Sequence, residues 1–393
     1  MKDIKVDGVA ICLAIVFLAN FLFFVFASTS ENVLVEGWYY TFDSFELFII
    51  FIYQSLSLFF LYAFYMFFKR INIKKSKENN LYSNKVGLFL IMAQLLLIYV
   101  SYTYGYGTVG IRREESTTPY TLMLFLNFFP IEYIFFIISP RLKSDKYFYI
   151  NLIICIFSAI YRGWMGALFF GLLIILIRNG GININLKKLL KFIIGIFLFI
   201  CIIPLFIEIK WSLRAGNDVA LENIYSSKNI HESANYILSR MQSLGQIQII
   251  NESKNFYKIS YNNGLIKPYY LDGVVQDILV RRLGNDPSDT LTQYVAKNSF
   301  GAMNSNTNTG IIGWFLILGE YFVFFMVYIS TLLTIIYSLI LRFGTKIELQ
   351  LLAVFSILFL FHGFIAYFFW FSLYLVMITL LGKIKQFQCI IFR

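Results

Sequence analysis

Tyr147–Ile177, YFYINLIICIFSAIYRGWMGALFFGLLIILI, is the run whose reading decides the fold. Its 31 residues would suit one straight crossing of a bilayer, but Arg141–Lys146 before it and Arg178–Lys191 after it are both basic connectors. Short Lys/Arg-rich loops stay on the cytoplasmic side, so the chain must enter and return. A limb of about 14 residues rises only about 21 Å of a core about 30 Å thick, which leaves the tip Tyr161-Arg162-Gly163 recessed below the outer surface. Leu349–Leu381 poses the same problem ahead of a basic C-terminal tail, and the same parity predicts a second hairpin with its tip at His362-Gly363. Each tip sets one ionisable residue before a glycine, where charge is costly.

Working outward, the chain is 59% apolar and 14% charged, and its apolar runs exceed the length a spanning helix needs. Uniformly apolar runs exclude the alternating pattern of a barrel, so the expected fold class is all-α, a polytopic helical membrane protein. Further spans fall near residues 9–27, 44–68, 86–104, 120–138, 189–207 and 310–341, giving about ten crossings with both termini cytoplasmic. Residues 9–27 follow Lys2 and Lys5 and read as an uncleaved signal anchor. The expected organisation is a transmembrane region over 1–207, a large outer loop over 208–309, and a second transmembrane region over 310–393.

The net charge of +11 lies at the ends of apolar runs rather than on one soluble face, so it reports orientation and argues against nucleic acid as a partner. Four cysteines and two histidines lack metal-ligand spacing, and no phosphate-loop or dinucleotide motif occurs; neither a metal nor another cofactor is expected. The first outer segment is acidic, with Glu31, Glu36 and Asp43.

Glu208–Thr309 is the long polar excursion, and it locates the function at one membrane face. Leu271, Val274, Val275, Ile278 and Leu279 fall at helical spacing, ending at Leu283-Gly284. A weaker helix through Ile237, Leu238, Met241 and Leu244 is expected to stop at Gly245, and Asp286-Pro287 to cap a helix through Leu291, Tyr294 and Val295. Arginines gather on this side: Arg112, Arg113, Arg162, Arg214, Arg240, Arg281 and Arg282. Guanidinium forks bind phosphate bidentately, and the interleaved tyrosines and asparagines suit sugar faces and hydroxyls.

Each candidate has a structural reading beside the functional one. Arg162 either reaches headgroup phosphates from a turn or holds a substrate phosphate. Arg281 and Arg282 either close a helix C-terminus or bind the same group, and Arg214 pairs with Asp218 or with substrate. Glu320, ten residues into an apolar run, is expected near mid-membrane, as a hydrogen-bonded structural group or a catalytic one. Glu132 reads as structural. His362 and His231 are the remaining candidate bases.

Tyr161-Arg162-Gly163-Trp164-Met165-Gly166-Ala167-Leu168, Asn304-Ser305-Asn306-Thr307-Asn308-Thr309-Gly310-Ile311-Ile312-Gly313-Trp314 and the order of spans together resemble the Wzy-type O-antigen polymerases, related in architecture to the O-antigen ligases. The resemblance implies a metal-independent, GT-C-like glycosyltransferase of the bacterial inner membrane that polymerises oligosaccharide repeat units carried on undecaprenyl diphosphate. It implies membrane lipid and a chain-length regulator as partners, and a diphosphate-binding role for Arg162; for Arg214, Arg281 and Arg282 that role rests on side-chain chemistry. His231, His362 or Glu320 would be the base. A flippase for the same lipid-linked sugar and an O-antigen ligase are the alternatives, with a transferase using a lipid-phosphate sugar beside them.

Overall fold

The computed structural model describes residues 4–36, 38–71, 81–107, 117–163, 166–184, 204–205, 208, 242–272, 288–302 and 306–383. In chain order the elements are β1 (Ile4–Val6), α1 (Gly8–Thr29), β2 (Val33–Val35), β3 (Trp38–Tyr40), α2 (Ser44–Arg70), α3 (Asn84–Tyr104), α4 (Tyr120–Phe128), α5 (Ile131–Ile138), α6 (Asp145–Tyr161), α7 (Gly166–Arg178) and β4 (Ile182–Ile184). The second half adds α8 (Leu244–Glu252), α9 (Lys254–Asn262), α10 (Leu291–Phe300), α11 (Gly310–Leu318), α12 (Phe322–Phe343), α13 (Lys346–Phe355) and α14 (Ile365–Leu381). The fold is mostly helical. By length and composition five stretches among the described residues can cross a membrane: Gly8–Thr29, Ser44–Arg70, Asn84–Tyr104, Tyr120–Arg141 and Gly310–Phe343.

Two compact units divide the chain, one of residues 1–8, 75–234 and 377–393, the other of residues 9–74 and 235–376. In the first, α3 lies along α6 because Gly87 lets the helices close: a Cβ there would stand 2.9 Å from that of Tyr147. The buried Asn151 locks the pair, donating to the Gly87 and Tyr147 carbonyls at 3.0 and 2.8 Å and accepting from Gln94 at 2.9 Å. The expected hairpin is present, with α6 and α7 joined through Arg162 and a left-handed Gly163 (φ 82°). At the other end of α7, Arg178 donates to the carbonyls of Leu142, Pro140 and Ser139 and to Asp145 at 2.7 Å, pinning the connector that leads into α6. The run over 120–138 is broken at Pro130, which cannot donate to a helix ladder, into α4 and α5.

In the second unit α1 and α2 pack as an antiparallel pair through Phe17, Phe21 and Phe24 against Phe48, Phe51 and Phe59. The second expected hairpin is also present. Its first limb, α13 and a π turn over Ser356–Leu360, is buried at every residue from Glu348, and the chain reverses at Gly363 (φ 88°) into α14. Phe355 stacks on Phe371 across the limbs, with ring centres 3.6 Å apart.

Three expectations need correction here. The run over 310–341 is not one helix: Gly319 (φ 56°) ends α11, a single tight turn carries Glu320, and α12 begins at Phe322. At 1.5 Å per residue the 22 residues of α12 span a bilayer core by themselves, which leaves α11 as a half-helix. Glu320 is therefore an exposed residue at the bend between α11 and α12, in a break of the helix rather than inside a continuous one. Gly245 does not stop a helix but lies in the first turn of α8, and every residue from Gln242, just ahead of the helix, to Ile250 is buried. The cap of α10 is Thr290, whose hydroxyl accepts from the Gln293 N–H while the Gln293 side chain returns the bond, and not Asp286.

Gly245 sits where α8 presses on α1 and β2: a Cβ would lie 2.8 Å from Phe23 Cζ and 2.9 Å from Val35 Cγ2. Gly245→Ala overpacks this junction and is expected to destabilise by about 1–3 kcal/mol, read as a lowered thermal midpoint of the purified protein; an unchanged midpoint would contradict the close approach.

Candidate functional site

A polar seam runs through the second unit beside the half-helices. Ten residues of α2 separate Ser44 from Gln54, and nine of α1 separate Asn20 from Thr29, so both amides lie about 14 Å below the ends of their helices. Between them passes Ser243: its N–H donates to Asn20 Oδ1 at 3.2 Å and its hydroxyl accepts from Gln54 Nε2. From there α8 climbs about 14 Å back toward the start of α2, where Gln248 and Asn251 meet Glu46. The first segment of α8 is thus buried deep in an apolar bundle with its N-terminus innermost. The side chain of Gln242 accepts from the Gly245 N–H at 2.9 Å and satisfies one donor of that end.

The approach to α11 lies alongside. Asn308 Nδ2 donates to the Gln242 carbonyl at 3.0 Å, so the short non-helical approaches to α8 and α11 are tied side by side, each opening a half-helix. Gly310 (φ 65°) is wedged between the Phe361 carbonyl, Ile247 and Gln54, at 3.0, 3.2 and 3.5 Å from where a Cβ would stand. Gly363 faces it, and a Cβ there would meet Thr309 Oγ1 at 2.6 Å and the Gly310 nitrogen at 2.8 Å. The turn carrying His362 is therefore pressed against the N-terminus of α11. Thr309 stands at the N-cap of α11 without making a capping bond. Its hydroxyl, wholly buried, has no partner among the described residues, and neither does Nδ1 of the buried His362 or Oε1 of the buried Gln54.

Three carboxylates edge the seam. Glu36, the one described non-glycine residue with positive φ (49°), accepts from Gln246 Nε2 at 3.3 Å and Thr307 Oγ1 at 3.4 Å. Glu46 and Glu252 share one donor, the carboxamide of the fully buried Gln248, at 3.1 and 3.3 Å, with Asn251 adding a bond to Glu46 at 3.3 Å. Burial, with the Glu46 charge adding to it and the Gln248 bond opposing, raises the Glu252 carboxyl above the ordinary carboxylate range.

Of the residues singled out in sequence, His362 and the Thr307–Gly310 segment meet at this seam. Glu320 does not take part. Arg162 lies in the other unit, buried and ion-paired with Glu132, with its Nε donating to the Ser158 carbonyl at 3.3 Å and Gly107 packed on its guanidinium. Neither the exposed snorkelling reading nor a free cation describes it: the break at Pro130 carries Glu132 to the hairpin tip, and the two charges neutralise each other. His231, Arg214, Arg281 and Arg282, with Arg112, Arg113 and Arg240, lie outside the described residues. Gln54, Glu46, Gln246 and Gln248 escaped the sequence reading, although the amides of GQIQII in an apolar stretch are a signal that it is buried against polar partners. Comparison of the chain with protein-family models, curated proteins and solved structures yields no match in any of the three.

Removing one member of a buried ion pair leaves the other charge uncompensated, at a cost of about 3–5 kcal/mol. Arg162→Ala is accordingly expected to lower the thermal midpoint sharply, and Arg162→Met combined with Glu132→Leu to recover most of it. If the double variant is no more stable than the single one, the two residues do not act as a pair.

Proposed function

We propose that the protein is a membrane glycosyltransferase that polymerises oligosaccharide repeat units carried on undecaprenyl diphosphate, working without a metal at the outer face of the bacterial cytoplasmic membrane. The observation that carries this reading is the buried, uncapped N-terminus of α11, with the unpartnered Thr309 hydroxyl beside it. First-turn N–H groups at the positive end of a helix favour an anion, and in an apolar surround they favour one delivered from the lipid, such as a carrier diphosphate. The charge that develops on a departing diphosphate is stabilised by donors already aimed and dry. On this reading the β2–β3 end of the second unit faces outward, Glu46 and Glu252 mark the water boundary, and His362, in the turn against α11, is the candidate base that frees the acceptor hydroxyl. The acidic first outer segment and the basic connectors, Lys69-Arg70 and Arg342 among them, support that orientation. Arg162 enters the mechanism only if substrate displaces Glu132.

Transport of the same lipid-linked sugar is the second reading, favoured by the discontinuous helices, since half-helices with inward N-termini also build transporter sites. Complementation in a cell lacking the gene separates them. Thr309→Val keeps the shape and removes the hydroxyl, and the loss of one hydrogen bond to a charged group is expected to slow chain growth about 10- to 100-fold. Single repeat units would then reach the cell surface with no ladder of longer chains. A normal ladder with Thr309→Val would exclude the α11 site from catalysis, and lipid-linked units trapped on the cytoplasmic side of cells lacking the gene would favour transport.

A further inference from the structure

The β2–β3 hairpin carries aromatic side chains that the buried core does not use. Trp38 and Tyr40, two residues apart, lie on one face of β3, and both polar handles are committed to successive carbonyls at the end of α10: Trp38 Nε1 to Phe300 at 3.2 Å and the Tyr40 hydroxyl to Ser299 at 3.2 Å. These bonds anchor the polar edge of each ring to the end of α10. The Trp38 indole remains 57% exposed even though its one donor is satisfied. An exposed indole held in one orientation is a platform and not a core residue.

Beside this row stands the carboxylate and amide cluster. Burial, with the charge of the neighbouring Glu252 adding to it, raises the Tyr40 phenol above the ordinary value. Glu252 in turn meets Gln248, and Gln248 meets Glu46. Gln248 is fully buried, donates to both carboxylates, and leaves its Oε1 with no partner among the described residues. The surface therefore offers a fixed aromatic face and two carboxylates that a buried amide holds in place. A phosphate-bearing headgroup would be repelled by Glu46 and Glu252. A sugar ring meets every requirement: its C–H face stacks on an aromatic ring, and its hydroxyls donate to carboxylates and amide oxygens.

We propose that Trp38, Tyr40, Glu46, Gln248, Asn251 and Glu252 form a saccharide-binding subsite that holds the acceptor glycan. This rests on the polymerase reading for its role, but not for the binding itself. Trp38 supplies the stacking face, Glu46 and Glu252 accept from ring hydroxyls, and Asn251 offers an amide. The preferred ligand is hydroxyl-rich and uncharged over the sugar in contact with the patch. The chain that follows this sugar extends away from the bilayer, because Trp38 lies at the tip of the hairpin and beyond the end of α1.

The test is titration of repeat-unit oligosaccharide, freed from its carrier by mild acid, into the full-length protein in nanodiscs of zwitterionic lipid. Wild type is expected to bind saturably, Trp38→Ala and Glu252→Gln to bind about tenfold more weakly, and Tyr39→Ala, on the opposite face of the same strand, to match wild type. Both substitutions fall on exposed side chains, and an unchanged thermal midpoint certifies the fold. Equal affinity in wild type, Trp38→Ala and Glu252→Gln overturns the subsite, as does the absence of saturable binding to wild type. Protein that binds the sugar as described yet extends no chain in cells keeps the subsite and removes the polymerase reading.

Discussion

An interrupted helix inside an apolar bundle exposes N–H and C=O groups that neither lipid nor aliphatic side chains can satisfy, and the second unit is organised around that constraint. Two half-helices, α8 and α11, begin deep between α1, α2 and the α13–α14 hairpin. The price is met by amides in positions that would otherwise be apolar: Asn20 and Gln54 receive Ser243, Gln242 caps α8, and Asn308 ties the approaches to α8 and α11 together. Glycines 245, 310 and 363 are the geometric counterpart, each standing where a Cβ would strike a neighbour at 3.0 Å or less. What this arrangement does not satisfy, the N-terminus of α11 and the hydroxyl of Thr309, is what makes the seam a candidate site.

The two hairpins were legible because they follow from a global rule. Basic connectors on both sides of a run force it to return, and a glycine at the centre marks the turn, so Gly163 and Gly363 appear in the structure at the expected places. Pro130 and Gly319 were weaker signals, since a proline or glycine inside an apolar run is compatible with a continuous helix until its neighbours are known. Glu320 shows the consequence: counting residues assumes an unbroken helix around it, and the left-handed Gly319 sets it in a bend between two helices. Helix α8 was hidden further, because its partners lie about 200 residues away in α1, α2 and the segment between them, and no local pattern encodes contacts of that range.

The candidate site was legible in part. His362 and the Asn-rich approach to Gly310 stood out, and they meet. Arg162 also stood out as a charge in an apolar run, but its partner Glu132 was separated from it by a break that the sequence did not reveal, so a structural ion pair resembled an open cation. The acidic segment between α1 and α2 supplies Glu36 to the seam, in a backbone conformation that costs energy for any side chain but glycine, asparagine or aspartate. A glutamate is a poor choice for that turn, and its carboxylate is what reaches Gln246 and Thr307.

The central claim is that the deep end of the seam communicates with the same face as Glu46 and the β2–β3 hairpin. Single cysteines at positions 46, 309 and 342, in a protein whose four native cysteines are replaced by alanine, test it through their reaction with a small charged thiol reagent applied to one side of oriented vesicles. The account predicts that Thr309→Cys reacts from the side on which Glu46→Cys reacts, more slowly, and that Arg342→Cys reacts from the other side. Modification of Thr309→Cys only from the side of Arg342→Cys would contradict it.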